Sequence, residues 1–147
     1  MAILLQTAGS KDIKLQYSVP ENIEVFVDIN MFQTIIRNLV SNAIKFTGTG
    51  GEVALIAQKL NEKEATVSVR DTGIGMPKEV IENLFKLNTI SNRPGTEGEP
   101  SSGLGLIICK EFVEKHGGTL WAESEEGKGS FFNFTIPIHD IQKNKKK

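Results

Sequence analysis

Apolar and polar positions along this 147-residue chain repeat with two periods, and the places where the period changes mark its elements. Residues 13–19, Ile-Lys-Leu-Gln-Tyr-Ser-Val, alternate at period 2 and predict a half-buried strand closed by Pro20. Val25-Phe26-Val27 predicts a second short strand, after which Asp28 stands where a helix N-cap belongs. From 29 to 46 the period becomes helical. Ile29, Phe32, Ile36, Leu39, Val40 and Ala43 gather on one face; Asn38, Asn42 and Lys45 gather nearly opposite, at spacings of 4 and 3. Thr47-Gly48-Thr49-Gly50-Gly51 ends that helix. Residues 53–60 and 65–70 read as two strands joined by Asn61-Glu62-Lys63-Glu64, a hairpin loop. In the second of them Val67, Val69 and Asp71 share a face. A helix is expected from 78 to about 85, introduced by Pro77, and an apolar one from the Gly103-Leu104-Gly105-Leu106 stretch to about 115. Residues 120–124 and 130–136 read as closing strands around Gly127-Lys128-Gly129, with Phe132, Phe134 and Ile136 on one face.

Composition adds limits. The length suits one domain with a sizeable core. A formal net charge of −1 does not advertise nucleic acid as a partner. Only the tail, Lys143-Asn144-Lys145-Lys146-Lys147, is locally basic, and residues 141–147 are expected to be a solvated, disordered end. The single cysteine, Cys109, lies in an apolar helical run, which suggests a small core residue in a reducing compartment. No apolar run approaches the roughly 18 residues of a membrane span. Met1-Ala2-Ile3-Leu4-Leu5 is too short for a signal peptide. A cytoplasmic location is expected, with a membrane anchor on a parent protein left open.

Three stretches carry candidate chemistry. In Asp71-Thr72-Gly73-Ile74-Gly75-Met76-Pro77, a carboxylate ends a buried stripe, which is costly without a hydrogen-bond donor. Gly73 and Gly75 then allow a sharp turn and close approach of a ligand. By itself this is either a capped turn or a binding site. The Asn38, Asn42, Lys45 stripe is either an ordinary solvated face or a metal–phosphate site, since an Asn carbonyl can ligate Mg²⁺ and a lysine offers a mobile charge for phosphate. Residues 88–102 show no hydrophobic period and read as a lid or a plain surface loop. They run into Gly103-Leu104-Gly105-Leu106, where helix-start amides suit an anion. His116, in a last helical turn, is expected to satisfy carbonyls rather than to catalyse.

Asn38-Leu39-Val40-Ser41-Asn42-Ala43-Ile44-Lys45-Phe46-Thr47, then Asp71-Thr72-Gly73-Ile74-Gly75-Met76, then Gly103-Leu104-Gly105-Leu106, in this order and spacing, closely resemble the ATP-binding catalytic domain of sensor histidine kinases. These belong to the GHKL group with gyrase, MutL and the heat-shock chaperones. Lys115-His116-Gly117-Gly118 and Gly127-Lys128-Gly129-Ser130 add to the resemblance, which covers about 13 to 137. It implies an α/β (α+β) two-layer sandwich, the Bergerat fold: a mixed, mostly antiparallel sheet with helices packed on one face. It implies one ATP-binding catalytic domain over 1–140, with a lid at about 86–102.

The resemblance also implies roles. Asn42 is similar to the family's Mg²⁺ ligand, with Asn38 one turn earlier at the reaction end. Lys45 stands as a phosphate contact and Phe46 as an aromatic beside the adenine. Asp71 resembles the acceptor for the adenine amino group, with Gly73 and Gly75 shaping that side of the pocket. Gly103, Leu104, Gly105 and Leu106 stand where the lid end meets the triphosphate, and Leu84-Phe85 where the family has a phenylalanine box. The stretch after it departs from the pattern, so the γ-phosphate cation is left between Lys86 and Arg93. Neither His116 nor His139 lies in a phosphoacceptor context. The implied function is binding of ATP and Mg²⁺ and donation of the γ-phosphate to a histidine on a separate helical dimerisation domain, with a response regulator downstream and the isolated chain a monomer. The alternatives are a nucleotide-sensing module, an anti-sigma-type serine kinase, and an ATP hydrolase, which usually has a Glu where Asn38 stands.

Overall fold

A computed structural model of the chain describes residues 12–19, 24–25, 27–85 and 104–139. The lid at about 86–102, with Lys86 and Arg93, and also Gly103 and the tail 141–147, lie outside the described residues. The order is β1 (Lys14–Ser18), β2 (Glu24–Val25), α1 (Ile29–Lys45), β3 (Glu52–Lys59), β4 (Glu64–Asp71), α2 (Lys78–Asn83), α3 (Leu104–Lys115), β5 (Leu120–Glu125) and β6 (Gly129–His139).

The strands form one mixed sheet. β1 pairs β3 in parallel, and the other described ladders are antiparallel. β3 is followed by β4 and then β6, which takes β5 and, further along, β2 on its other edge. Register explains the core. Cross-strand pairs Ala65–Ile136, Val67–Phe134 and Val69–Phe132 place their buried side chains on one face. α1 covers that face, with the Phe32 ring set edge-on to Phe134 at 6.2 Å. The next pair in the same column is Asp71–Ser130, and Ser130 pairs in turn with Ser124. A polar row therefore closes the apolar face at one end.

The helices differ from the sequence reading in three places. Ile29 is 68% exposed, because the core stripe of α1 begins only at Phe32. Ile35 and Ile44 are buried instead: Ile44 extends the Ile36–Val40 row by one turn, and Ile35 faces α3, whose Cys109 Sγ lies 3.7 Å from the Ile35 carbonyl oxygen. α2 stops at Asn83, with Leu84 and Phe85 turning off as partly buried residues, while Asn38, Asn42 and Lys45, left open between a solvated face and a binding site, are half-buried. Val27 follows β2 without joining it. Asp28 does cap α1, its Oδ1 accepting the Met31 N–H at 2.9 Å.

Candidate nucleotide site

α1 serves as a ruler for the site. Its C-cap is Phe46; Asn42 lies one turn back and Asn38 a further turn back, a span of about 12 Å at 1.5 Å per residue. The glycine turn is seated on the Phe46 end. Ile74 N–H donates to the Phe46 carbonyl at 3.1 Å. A Cβ on Gly73 would stand 2.1 Å from that same oxygen, so no other residue fits without moving α1 or the turn. Thr47, fully buried just beyond, donates its hydroxyl to the Ala43 carbonyl at 2.6 Å and tightens the helix end.

Asp71 ends β4 beside this turn and is only 4% exposed. Its Oδ1 accepts the Gly73 N–H at 2.8 Å. Burial pushes its carboxyl up to about 6, against the pull of the Gly73 and Ser130 backbone N–H groups, which favour the ionised form. A buried acceptor at the end of an apolar column, next to a backbone turn, suits a ligand donor with a flat apolar body.

The other wall of the turn is the β5–β6 connection. Gly75 adopts φ +69°, and a Cβ there would stand 2.0 Å from the Glu125 carbonyl oxygen. Gly127 N–H donates to the Ile74 carbonyl at 2.8 Å, and Met76 N–H donates to Ser124 Oγ at 2.8 Å. Ser124 Oγ also meets Ser130 Oγ at 2.7 Å. Ser124, Glu125 and Thr47 are thus supporting residues that the sequence reading did not single out. The signal for Ser124 is its opposition to Ser130, which shows only once the β5–β6 register is known.

At the far end of the ruler, α3 crosses α1. A Cβ on Gly105 would lie 3.3 Å from Asn38 Oδ1. Cys109, one turn on, is fully buried; burial pushes its thiol up to about 12, with the Asn38 side chain acting in the opposite direction. Leu106 is buried in the core beneath this crossing. The structure therefore strings Asn38, Asn42, Lys45 and Phe46 along the C-terminal half of α1, seats Gly73 against Phe46 beside Asp71 and Gly75, and sets Gly105 against Asn38. Arg93 and Gly103 lie outside the described residues.

An open groove of about 590 Å³ touches the Asp71 end of the site: Asp71, Thr72, Ser124, Glu125 and Ser130 line it together with Glu52, Arg70 and Lys128. None of Asn38, Asn42, Lys45, Phe46 or Gly73 lines it, so it shares the Asp71 end of the site but does not extend along α1.

The donor set fits ATP with Mg²⁺. A buried carboxylate stands near the Phe46 end of α1 and half-buried amides run from there toward the start of α3. Among the described residues no three His, Cys, Asp or Glu side chains are grouped so as to hold a metal ion. No described helix is long and apolar enough to cross a membrane.

Comparison with known proteins agrees with this geometry. The profile of the histidine kinase-, DNA gyrase B-, and HSP90-like ATPase family matches residues 27–140. The adaptive-response sensory kinase SasA of Crocosphaera subtropica is 37% identical over 130 residues, which are 88% of this chain and 34% of that protein. The chain thus spans about a third of that relative's length. The nucleotide-free catalytic domain of the histidine kinase ThkA superposes with a TM-score of 0.78 at 30% identity, covering 92% of this chain and 86% of that domain. ThkA has also been solved in complex with the response regulator TrrA, with 26% identity, a TM-score of 0.74 and coverage of 94% of this chain and 38% of that one. Full-length ShkA in complex with AMPPNP matches with a TM-score of 0.78 at 27% identity, over 95% of this chain and 28% of ShkA.

Proposed function

This chain belongs to the histidine kinase-, DNA gyrase B-, and HSP90-like ATPase family as a domain of the histidine kinase type, and from that premise we propose that it binds ATP with Mg²⁺ along α1 and presents the γ-phosphate to a histidine on a separate helical domain. The observation that carries the reading is the buried Asp71 carboxylate, set by the Gly73–Phe46 contact at the C-terminal end of the helix that bears Asn42 and Asn38. Asp71 would accept a hydrogen bond from the adenine amino group, a further partner beside the Gly73 and Ser130 N–H groups for a costly buried charge. Phe46 and the turn would flank the base. Asn42 would hold Mg²⁺, which stabilises charge developing on the phosphates. Lys45 and the first amides of α3 would position the phosphate chain.

Phosphoryl transfer asks a protein mainly for alignment and charge stabilisation. Asn38 at the reaction end has no basic group with which to activate water, which favours transfer to an incoming imidazole over hydrolysis. The response regulator bound by ThkA and the nucleotide analogue bound by ShkA support the same reading. The acceptor histidine, the dimerisation domain, the downstream regulator and the monomeric state of the isolated chain are parts of this proposal. So is a role for Arg93 or Lys86 as the lid cation.

The test is a thermal melt of the chain with increasing ATP and Mg²⁺, beside Asp71→Asn. A ligand confined to the folded state stabilises by roughly 2.7 kcal/mol at a hundredfold excess over its dissociation constant, or several degrees in Tm. The wild type should show that rise and Asp71→Asn should lose most of it, because an amide turns a donor toward the adenine amino group. No rise at millimolar ATP removes the nucleotide reading. Incubation with the helical domain of a related kinase and labelled ATP then tests transfer; label on its histidine is the expected result.

A further inference from the structure

The antiparallel seam between α1 and α3 is pinned at the end remote from the nucleotide. Ascending α3, Gly105 stands against Asn38, Cys109 against the Ile35 carbonyl, and His116 against the start of α1. The contacts at the first two positions are adjustable: a side-chain amide 3.3 Å from where a Cβ on Gly105 would stand, and a thiol, a weak donor, at 3.7 Å. The last is directional. His116 Nε2 accepts the Asp28 backbone N–H at 2.9 Å. An imidazole nitrogen that accepts carries no proton, so the proton is on Nδ1, which donates to the Phe112 carbonyl at 2.8 Å. One ring thereby ties the last turn of α3 to the residue that caps α1. The chain after it is held too. Gly117 takes φ +76°, and a Cβ on Gly118 would stand 2.0 Å from the Thr135 carbonyl oxygen, so this end of α3 is seated on β6.

We propose that His116 is a positioning residue: by bridging the end of α3 to the N-cap of α1 it fixes the axial register of the two helices, and so sets where the start of α3 stands over Asn38. The lever is roughly 16 Å long, the rise from Gly105 to His116. A slip by one residue would move Gly105 about 1.5 Å along α1, enough to break the fit at the reaction end. The Phe46–Gly73 end would not move with it, because it hangs on α1 and the β5–β6 turn. The inference rests on the nucleotide reading above and deepens it: the register governs the γ-phosphate end and leaves the adenine end alone.

Two substitutions divide the two hydrogen bonds of the ring. In His116→Asn the amide nitrogen sits near the place of Nδ1 and keeps the bond to Phe112, but nothing reaches Asp28. In His116→Gln the amide oxygen reaches the place of Nε2 and keeps the bridge. Calorimetric titration of wild type and both variants with Mg-ATP and with Mg-ADP separates the roles, with a melt of each to establish folding. The expected result is that His116→Asn binds ATP roughly 3- to 10-fold more weakly while its ADP affinity stays near wild type, and that His116→Gln retains both. Equal ATP affinity in His116→Asn and wild type overturns the proposal. So does equal weakening toward ATP and ADP, which is general loosening, or a loss in His116→Gln as large as in His116→Asn. Absence of ATP binding by the wild type overturns the nucleotide reading itself, and the inference with it.

Discussion

The two ends of the site are built on opposite plans. At the Asp71 end, backbone is wedged against backbone. The Cβ positions of Gly73 and Gly75 fall 2.1 and 2.0 Å from the carbonyl oxygens of Phe46 and Glu125, so the turn is clamped from two sides at contacts that cannot be loosened one at a time. At the Asn38 end, a helix start faces a side-chain amide close by, which can give by a few tenths of an ångström where backbone cannot. In the proposed placement of ATP, the first plan would hold the part that never changes, the base, and the second the part that changes during reaction, the terminal phosphate. Rigidity here is a matter of what the glycines touch, not of how many there are.

The most severe way to break the comparison is Gly75→Ala. It combines positive φ with a clash against backbone, so a loss of about 3 kcal/mol or more is expected. The melting temperature should then fall by roughly 6–12 °C, with or without nucleotide. A variant that melts like the wild type would show that the turn is not clamped.

The next effect is electrostatic. A carboxyl whose folded value is raised from 3.8 to about 6 contributes stability that is fully present below 3.8 and is lost as pH rises through about 6. The full cost of ionising Asp71 in the ligand-free fold is about 3 kcal/mol, of which about 2 kcal/mol accrues between pH 4.5 and 7.5. Asp71→Asn carries no such charge. Urea unfolding of both proteins should therefore show the wild type losing about 2 kcal/mol relative to the variant over that range. Parallel pH profiles would show that the buried carboxylate is not strained. The variant gains stability at neutral pH where it loses ligand, as expected of a site held against its own stability.

The smallest effect sharpens the contrast at the other end. Gly105→Ala adds a methyl 3.3 Å from Asn38 Oδ1, while alanine favours the helix by about 1 kcal/mol. The melting temperature should stay within about 3 °C of wild type, while affinity for Mg-ATP drops about threefold, by calorimetry. A change in stability without a change in affinity would mean that α3 is clamped like the glycine turn.

Much of this was legible from residue order. The alternation in β4 and β6 predicted which side chains meet α1, and Asp71 stood out as a carboxylate in an apolar column. The glycines around it marked a turn. What could not be read was the second neighbour of α1. A helical period assigns one apolar stripe, and by that rule Ile29 joins the core and Ile35 does not. The reverse holds because α3 packs along a second side of α1 from a position about seventy residues away, and nothing local encodes that register. Ser124 was hidden for the same reason: its role depends on which residue of β6 it opposes. The place of His116 in the last turn of α3 predicts a bond to its own helix, but only the tertiary fold shows that its other nitrogen belongs to a different one.

The thiol of Cys109 gives the seam a clock. It is sealed at 0% exposure between α3 and the Ile35 carbonyl, and its high titration point leaves almost no thiolate at neutral pH. A maleimide or disulfide reagent can reach it only when the two helices part. With no other cysteine in the chain to compete for label, the labelling rate counts those partings directly, and nucleotides that draw α3 onto α1 should slow the count in proportion to how firmly they hold it closed.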